Sequence, residues 1–304
     1  MAHDHSHSSG SRRRLAIVFG IVLVIFVFQV IGSIMTGSLA LLIDTGHNSV
    51  DLIGIGIALF AATLVRKPPK GQKTWGFRRA EVLAAGAQAT LLLGLGVYSL
   101  IEGIRRFFVP PEVPGPELMF FGVVGLLGNI VSIIILSSSK EQSLNLKAAF
   151  LEVIADALGS VAVILAAVSI WLFDWTRADA VAALFIAALI VPRAFSILKE
   201  TGSILLEVAP RELDLDKVKM HIEGVEHVQE VHDLHVTRID SNLPVLTAHV
   251  VLADECFYDG HAPRILAALQ ECLAEHFKVA IEHSTFQFDR AKDAAQETHT
   301  HTRG

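Results

Sequence analysis

The octapeptide DTGHNSVD, residues 44–51, interrupts a run that is otherwise apolar from Leu39 to Val65. His47 and Asp51 stand four residues apart, one helical turn, so both side chains can converge on one point. Asp44 falls within roughly 60° of them around the helix. A second run repeats the device. In FLEVIADALGS, Glu152 and Asp156 are also four apart among small and apolar residues. One imidazole and three carboxylates from two helices suit a four-coordinate shell around a divalent cation. Neither helix carries a basic residue placed to neutralise these acids, so the expected counter-charge comes from solution, as a metal ion or protons. A plainer reading, in which a protonated acid bonds a neighbour such as Asn48 or Asn129, suits a lone residue better than two i,i+4 pairs in separate helices. Asp44, nearer the outer end of its helix, stays open between coordination and a vestibule or helix-end role.

Coordination of this kind brings protons with it. A metal binds ionised carboxylates and neutral imidazole, so binding expels protons and protonation expels metal. Imidazole ionises near neutral pH, which makes His47 the natural exchanging group. A site with these ligands that faces one side at a time is an exchanger.

The elements that must position these residues are membrane helices. The chain has 304 residues, 52% of them hydrophobic. Residues 1–200 carry a net charge of +3 and hold nearly all the apolar runs, whereas residues 201–304 carry −9. A membrane half and an acidic, water-soluble half follow. Six spans are expected at about 15–35, 39–65, 80–104, 118–136, 148–173 and 178–198. The first is too long for a signal-peptide core and is read as retained. Cations concentrate on one side: Arg12, Arg13 and Arg14, the second loop (Arg66, Lys67, Lys70, Lys73, Arg78, Arg79), Lys140, Lys147, Arg193 and Lys199. Only Arg105, Arg106 and Arg177 lie opposite. Both termini are therefore expected in the cytoplasm. Cys256 and Cys272 have no CxxC spacing and fit a reducing compartment.

From about Leu205 the pattern changes to that of a small α+β domain. DLDKVKMHIEGV is amphipathic at helical period, VQEVHDLHVTRI and PVLTAHVVLA alternate like strands, HAPRILAALQECLAEHF is a second helix, and VAIEHSTFQFD is a last strand. The order is αββαβ, with helices on one face of the sheet. The expected organisation is a His-containing tail at 1–14, a six-helix transport domain at 15–204, a metal-binding and dimerisation domain at 205–290, and a disordered end at 291–304.

These stretches together resemble the cation diffusion facilitator family of divalent-metal/proton antiporters. The likeness is carried by SLALLIDTGHNSVDLIGI, WGFRRAEVLAA, SLNLKAAFLEVIADALGSVAVI, DAVAALFIAALIVPRAF and, in the tail, VHDLHVTRI, LTAHVVL and EHSTFQFD. It implies a homodimer of six-helix protomers, each with a transport site between spans two and five and a ferredoxin-like, metallochaperone-like cytoplasmic domain. On that resemblance His47, Asp51, Glu152 and Asp156 are the transport ligands. Many zinc-type members have His where this chain has Glu152, so the site is richer in oxygen, and cobalt, cadmium, iron and manganese stand beside zinc as candidate substrates. Zinc comes first, because the HxxxD pair of span two resembles zinc-type members. The second loop, without His or Asp, is not expected to hold a metal, and the fourth, SSSKEQSLN, lacks a His-rich insert, as in a bacterial member.

The resemblance also places cytoplasmic metal ligands at His232, His249 and Asp289, with His283 as a fourth. His221, His227 and His276 read as surface histidines, and His235 and His261 are undecided. The terminal histidines His3, His5, His7, His299 and His301 could gather metal loosely. Glu207 facing Arg78 or Arg79 across the protomers is expected to fix the dimer's hinge. The expected function is proton-coupled export of a divalent cation across the cytoplasmic membrane, without covalent chemistry, prosthetic group or nucleic-acid partner. Protons, membrane lipid and a second copy of the chain are the expected partners. Uptake in the reverse direction and a membrane metal sensor are the rival readings.

Overall fold

The computed structural model describes residues 7–137, 144–277 and 279–294. Six long helices lead: α1 (His7–Thr36), α2 (Leu39–Val65), α3 (Arg79–Phe108), α4 (Gly115–Ser137), α5 (Leu144–Phe173) and α6 (Ala178–Leu205). Five of them, α2 to α6, are long and apolar enough to cross a bilayer, and α1 adds a shorter apolar stretch, Gly20–Thr36. Large apolar side chains such as Phe60, Ile101, Ile134, Leu165 and Phe195 lie exposed along α2 to α6, where hydrocarbon rather than water suits them.

The helices run beyond the spans expected from hydropathy alone. α3 continues to Phe108, and α6 to Leu205, because backbone hydrogen bonding does not stop where apolarity does. The terminal motifs HDHSH and HTH lie outside the described residues, apart from the helical backbone at His7, as does Lys140 of the fourth loop. Residues Ala291–Ala294, expected to be disordered, instead form a short helical turn directly after the last strand.

Two compact units divide the chain. One takes residues up to Ile57 together with Ala87–Leu198; the other takes Ala58–Gly86 and the chain from Lys199 onward. In the first, the core gathers Leu39, Leu41, Ile43, Leu118, Val163 and Ile186 with alanines of α5 and α6. Small residues let the helices approach closely, as bilayer packing requires.

One polar contact fixes the start of α2. Asp179, buried on the first turn of α6, accepts from the Leu39 N–H at 2.7 Å, the Ala40 N–H at 3.3 Å and the Ser38 hydroxyl. Ser38 Oγ in turn accepts from the Leu41 N–H at 3.1 Å. The unpaired amides of a helix N-terminus are thus satisfied by another span, where no water could do it. Replacing Asp179 with alanine strands buried donors, at a cost of about 1–3 kcal/mol. The expected result is a lower thermal midpoint for the detergent-solubilised Asp179→Ala protein at unchanged helix content.

The second unit contains the αββαβ domain. It comprises α7 (Leu215–Glu223), β1 (Val228–Arg238), β2 (Pro244–Leu252), a 3-10 turn at Asp254–Phe257, α8 (Ala262–Glu275) and β3 (His283–Arg290), followed by α9 (Ala291–Ala294). The sheet order is β1-β2-β3; β1 and β2 are antiparallel, and β3 joins β2 in parallel. The parallel pairing requires a crossover, and α8 supplies it. Val218, Ile222, Leu246, Val250, Leu269 and Leu273 form the core between helices and sheet.

Within this unit, Arg79 pairs with Glu207 at 2.8 Å and Arg78 with Asp240 at 3.1 Å. Both ion pairs close within one chain. The start of α3 and the residues just after α6 lie side by side within a single copy.

Candidate metal centre

Three carboxylates converge on one nitrogen. His47 Nε2 lies 3.4 Å from Asp51 Oδ2, 3.6 Å from Glu152 Oε1 and 3.7 Å from Asp156 Oδ1. The first separation follows from i,i+4 spacing on α2; the others arise where α5 passes α2. A tetrahedral shell with bonds near ~2.1 Å has ligand–ligand edges of roughly 3.4 Å, so the spacing matches a zinc-sized cation. His47, Glu152 and Asp156 each place a ligand atom within 4.8 Å of the other two. His47 Nδ1 and Asp156 Oδ1 are buried and have no hydrogen-bond partner, which a core built only for stability would avoid.

Two side chains around the shell were not foreseen from the sequence. Gln88 on α3 donates through Nε2 to Asp51 Oδ1 at 3.1 Å, leaving Oδ2 towards His47. Gly54 makes this possible, because a Cβ there would overlap the Gln88 amide. The second is Arg193 on α6, whose two terminal nitrogens grip both oxygens of Glu152. The expectation that counter-charge comes only from solution is therefore corrected. A third helix supplies a guanidinium, and the reading of α2 and α5 alone had no means of locating it.

Asp44 belongs to a different network. Its Oδ2 accepts from Gln29 of α1, and Gln29 Oε1 accepts from Asn48 Nδ2 at 2.7 Å. The nearby Asn129 donates to Ser160 at 3.3 Å. Asp44 also lines a cavity of about 40 Å³ with His47, Asp156, Gly159 and Arg193. That volume accommodates water or a small ion. Gly159 is required beside it, since an added Cβ would sit 2.9 Å from Asp44 Oδ1.

The tail holds a second cluster. His232 and His249 are register partners on β1 and β2, with ring centroids 5.3 Å apart. Asp289 on β3 brings Oδ2 to 3.1 Å from His249 Nδ1, and the three residues offer ligand atoms within 4.8 Å of one another. His283 does not join them. It begins β3 opposite Val245 and packs edge-on against Trp75, ring centroids 4.9 Å apart. Six residues along a strand amount to roughly 20 Å, so a residue sharing a face with Asp289 is still out of reach. His235 bonds Asp233 at 2.9 Å, and His261 approaches Asp259 at 2.7 Å. The Asp259 carboxyl is held below its ordinary range chiefly by the His261 backbone N–H. His221 bonds the Lys217 carbonyl at 2.9 Å, and His227 packs beside His261.

Convergent metal-ligand side chains inside apolar helices, joined to an αββαβ tail, describe a metal transporter rather than an enzyme. Residues 15–206 match the cation efflux transmembrane domain and residues 210–291 the cytoplasmic domain of cation efflux proteins, so the chain belongs to the cation efflux family, the cation diffusion facilitators, and is a multi-pass membrane protein. It is 36% identical over 298 residues to the metal cation efflux system protein CzcD of Cupriavidus metallidurans, covering 97% of this chain and 93% of that one. It is 36% identical over 297 residues to the zinc transporter ZitB of Escherichia coli, covering 95% and 93%. To a cadmium, cobalt and zinc/H(+)-K(+) antiporter of Bacillus subtilis it is 34% identical over 288 residues, covering 94% and 91%.

Proposed function

We propose that this protein exports a divalent cation, zinc first, across the cytoplasmic membrane in exchange for protons, with His47, Asp51, Glu152 and Asp156 as the transport centre. The observation that carries the reading is the approach of three carboxylates to His47 Nε2 at 3.4–3.7 Å within apolar helices. Ionisable groups at that depth are costly unless they serve a cation or proton pathway. Whole-length similarity to a zinc transporter and to a cadmium, cobalt and zinc antiporter supports the substrate class. Cobalt and cadmium are the next substrates to expect. Protons and metal compete for the same ligands, so a proton gradient drives metal the other way.

Both termini lie in the cytoplasm in this reading, supported by the cations that crowd the N-terminus, the second loop and the end of α6. The active form is a homodimer. His232, His249 and Asp289 form a second, cytoplasmic cation site that ties metal supply to the tail's geometry. Reconstitution of the full chain into acid-loaded vesicles tests the transport reading. Zinc should accumulate inside while the pH gradient lasts and stop when an ionophore collapses it. Accumulation that ignores the gradient, or none with the gradient intact, would overturn proton-coupled antiport.

A further inference from the structure

Glu152 is shared between two partners. One oxygen lies 3.6 Å from His47 Nε2, on the metal side, yet both oxygens are gripped by the Arg193 guanidinium. A bidentate Arg–carboxylate pair is strong and directional, and a carboxylate so held keeps a lone pair for a metal but must loosen the pair before chelating through both oxygens. Arg193 also lines the cavity shared by His47 and Asp156, so it belongs to the centre's own wall. The preceding residue, Pro192, lies inside α6 and cannot donate to the carbonyl one turn earlier, which loosens the helix next to Arg193.

Charge makes the arrangement purposeful. Ionised Asp51, Asp156 and Glu152 supply three negative charges, and Arg193 subtracts one. The remaining two match a divalent cation, so these three carboxylates, Arg193 and the cation sum to zero in a medium that penalises net charge, with Asp44 on the same cavity bonded separately by Gln29. Without the guanidinium, Glu152 would add one or two oxygens to the shell. The site would then favour cations that prefer more oxygen ligands and a higher coordination number, manganese above all.

We propose that Arg193 is the selectivity-determining residue of the transport centre: by holding both oxygens of Glu152 it keeps that carboxylate from chelating the metal, which leaves an oxygen-poor shell that takes zinc and withholds the oxygen-rich shell that would take manganese. This rests on the transport-centre reading above, and it assigns Glu152 to Arg193 first and to the metal second.

The test measures zinc and manganese binding to the full chain in lipid nanodiscs, in a His249→Ala background that removes the tail triad, using the two metals themselves as probes, for the otherwise unchanged protein (taken as wild type), Arg193→Gln, Arg193→Gln/Glu152→Gln and Asp51→Asn. Arg193→Gln should lower the zinc-over-manganese affinity ratio by about tenfold or more, the scale on which loss of a ligand's hydrogen-bonding partner acts. The double variant restores the two-negative balance and removes the freed oxygens, so its ratio should return to within about threefold of wild type. An unchanged ratio in Arg193→Gln, or an equally altered ratio in the double variant, overturns the proposal, because Arg193 would then not act through Glu152. Loss of all binding in both Arg193 variants overturns it as well. Asp51→Asn separates the two claims: if it binds zinc as wild type does, the transport-centre reading fails, whatever Arg193 does.

Discussion

Asp156→Ala is expected to reduce zinc flux in reconstituted vesicles to that of protein-free vesicles. Asp156 is the most deeply placed carboxylate of the centre, on α5, and its Oδ1 has no hydrogen-bond partner to replace a lost cation. Removing it takes away a ligand and one negative charge together. Loss of a partner that only orients a ligand already costs about 10–100-fold in metal affinity, and loss of the ligand itself costs more. Asp156→Asn keeps the volume but not the charge, and should fail nearly as completely. The check is the initial rate of zinc entry at a fixed pH gradient, with dimer content verified beforehand. Flux above a tenth of wild type in Asp156→Ala would remove this carboxylate from the centre.

The second large effect is expected in the tail. His249→Ala should lower the zinc bound per chain at equilibrium by one, because His249 stands at the middle of the triad, opposite His232 and 3.1 Å from Asp289. Asp289→Asn should do the same. His283→Ala should leave the stoichiometry unchanged, since its ring is spent on Trp75. Equilibrium dialysis of the full chain distinguishes the three. Stoichiometry lost in His283→Ala and kept in His249→Ala would reverse the assignment.

Much of the geometry of the proposed transport centre could be read from spacing. His47 with Asp51, and Glu152 with Asp156, are single-turn pairs, and local geometry fixes them before any packing is known. What spacing cannot convey is which third helix arrives beside them. Arg193 looked like one more cation at the end of a span, useful for orientation, because a count of charges by side carries no depth or azimuth. Gln88 and Gln29 carry no such signal in the sequence, for another reason. Uncharged amides in a span attract no attention until a carboxylate is found within hydrogen-bonding distance. The αββαβ order of the tail was legible from the change of period, whereas His283 entered the ligand set through the resemblance alone, and six residues of strand, roughly 20 Å, separate it from Asp289. Asp44, undecided from sequence, turns out to be engaged by α1 while still bordering the cavity of the centre.

The parallel pairing of β3 with β2 has a consequence for how the protein is made. The triad takes one residue from each strand, and Asp289 arrives only after the chain has passed through α8. During synthesis the membrane helices are complete, and β1 and β2 can already form their hairpin, while the third ligand is still inside the ribosome. A nascent chain thus has no finished triad with which to hold a metal. Any truncation before residue 283 would leave it permanently in that immature condition.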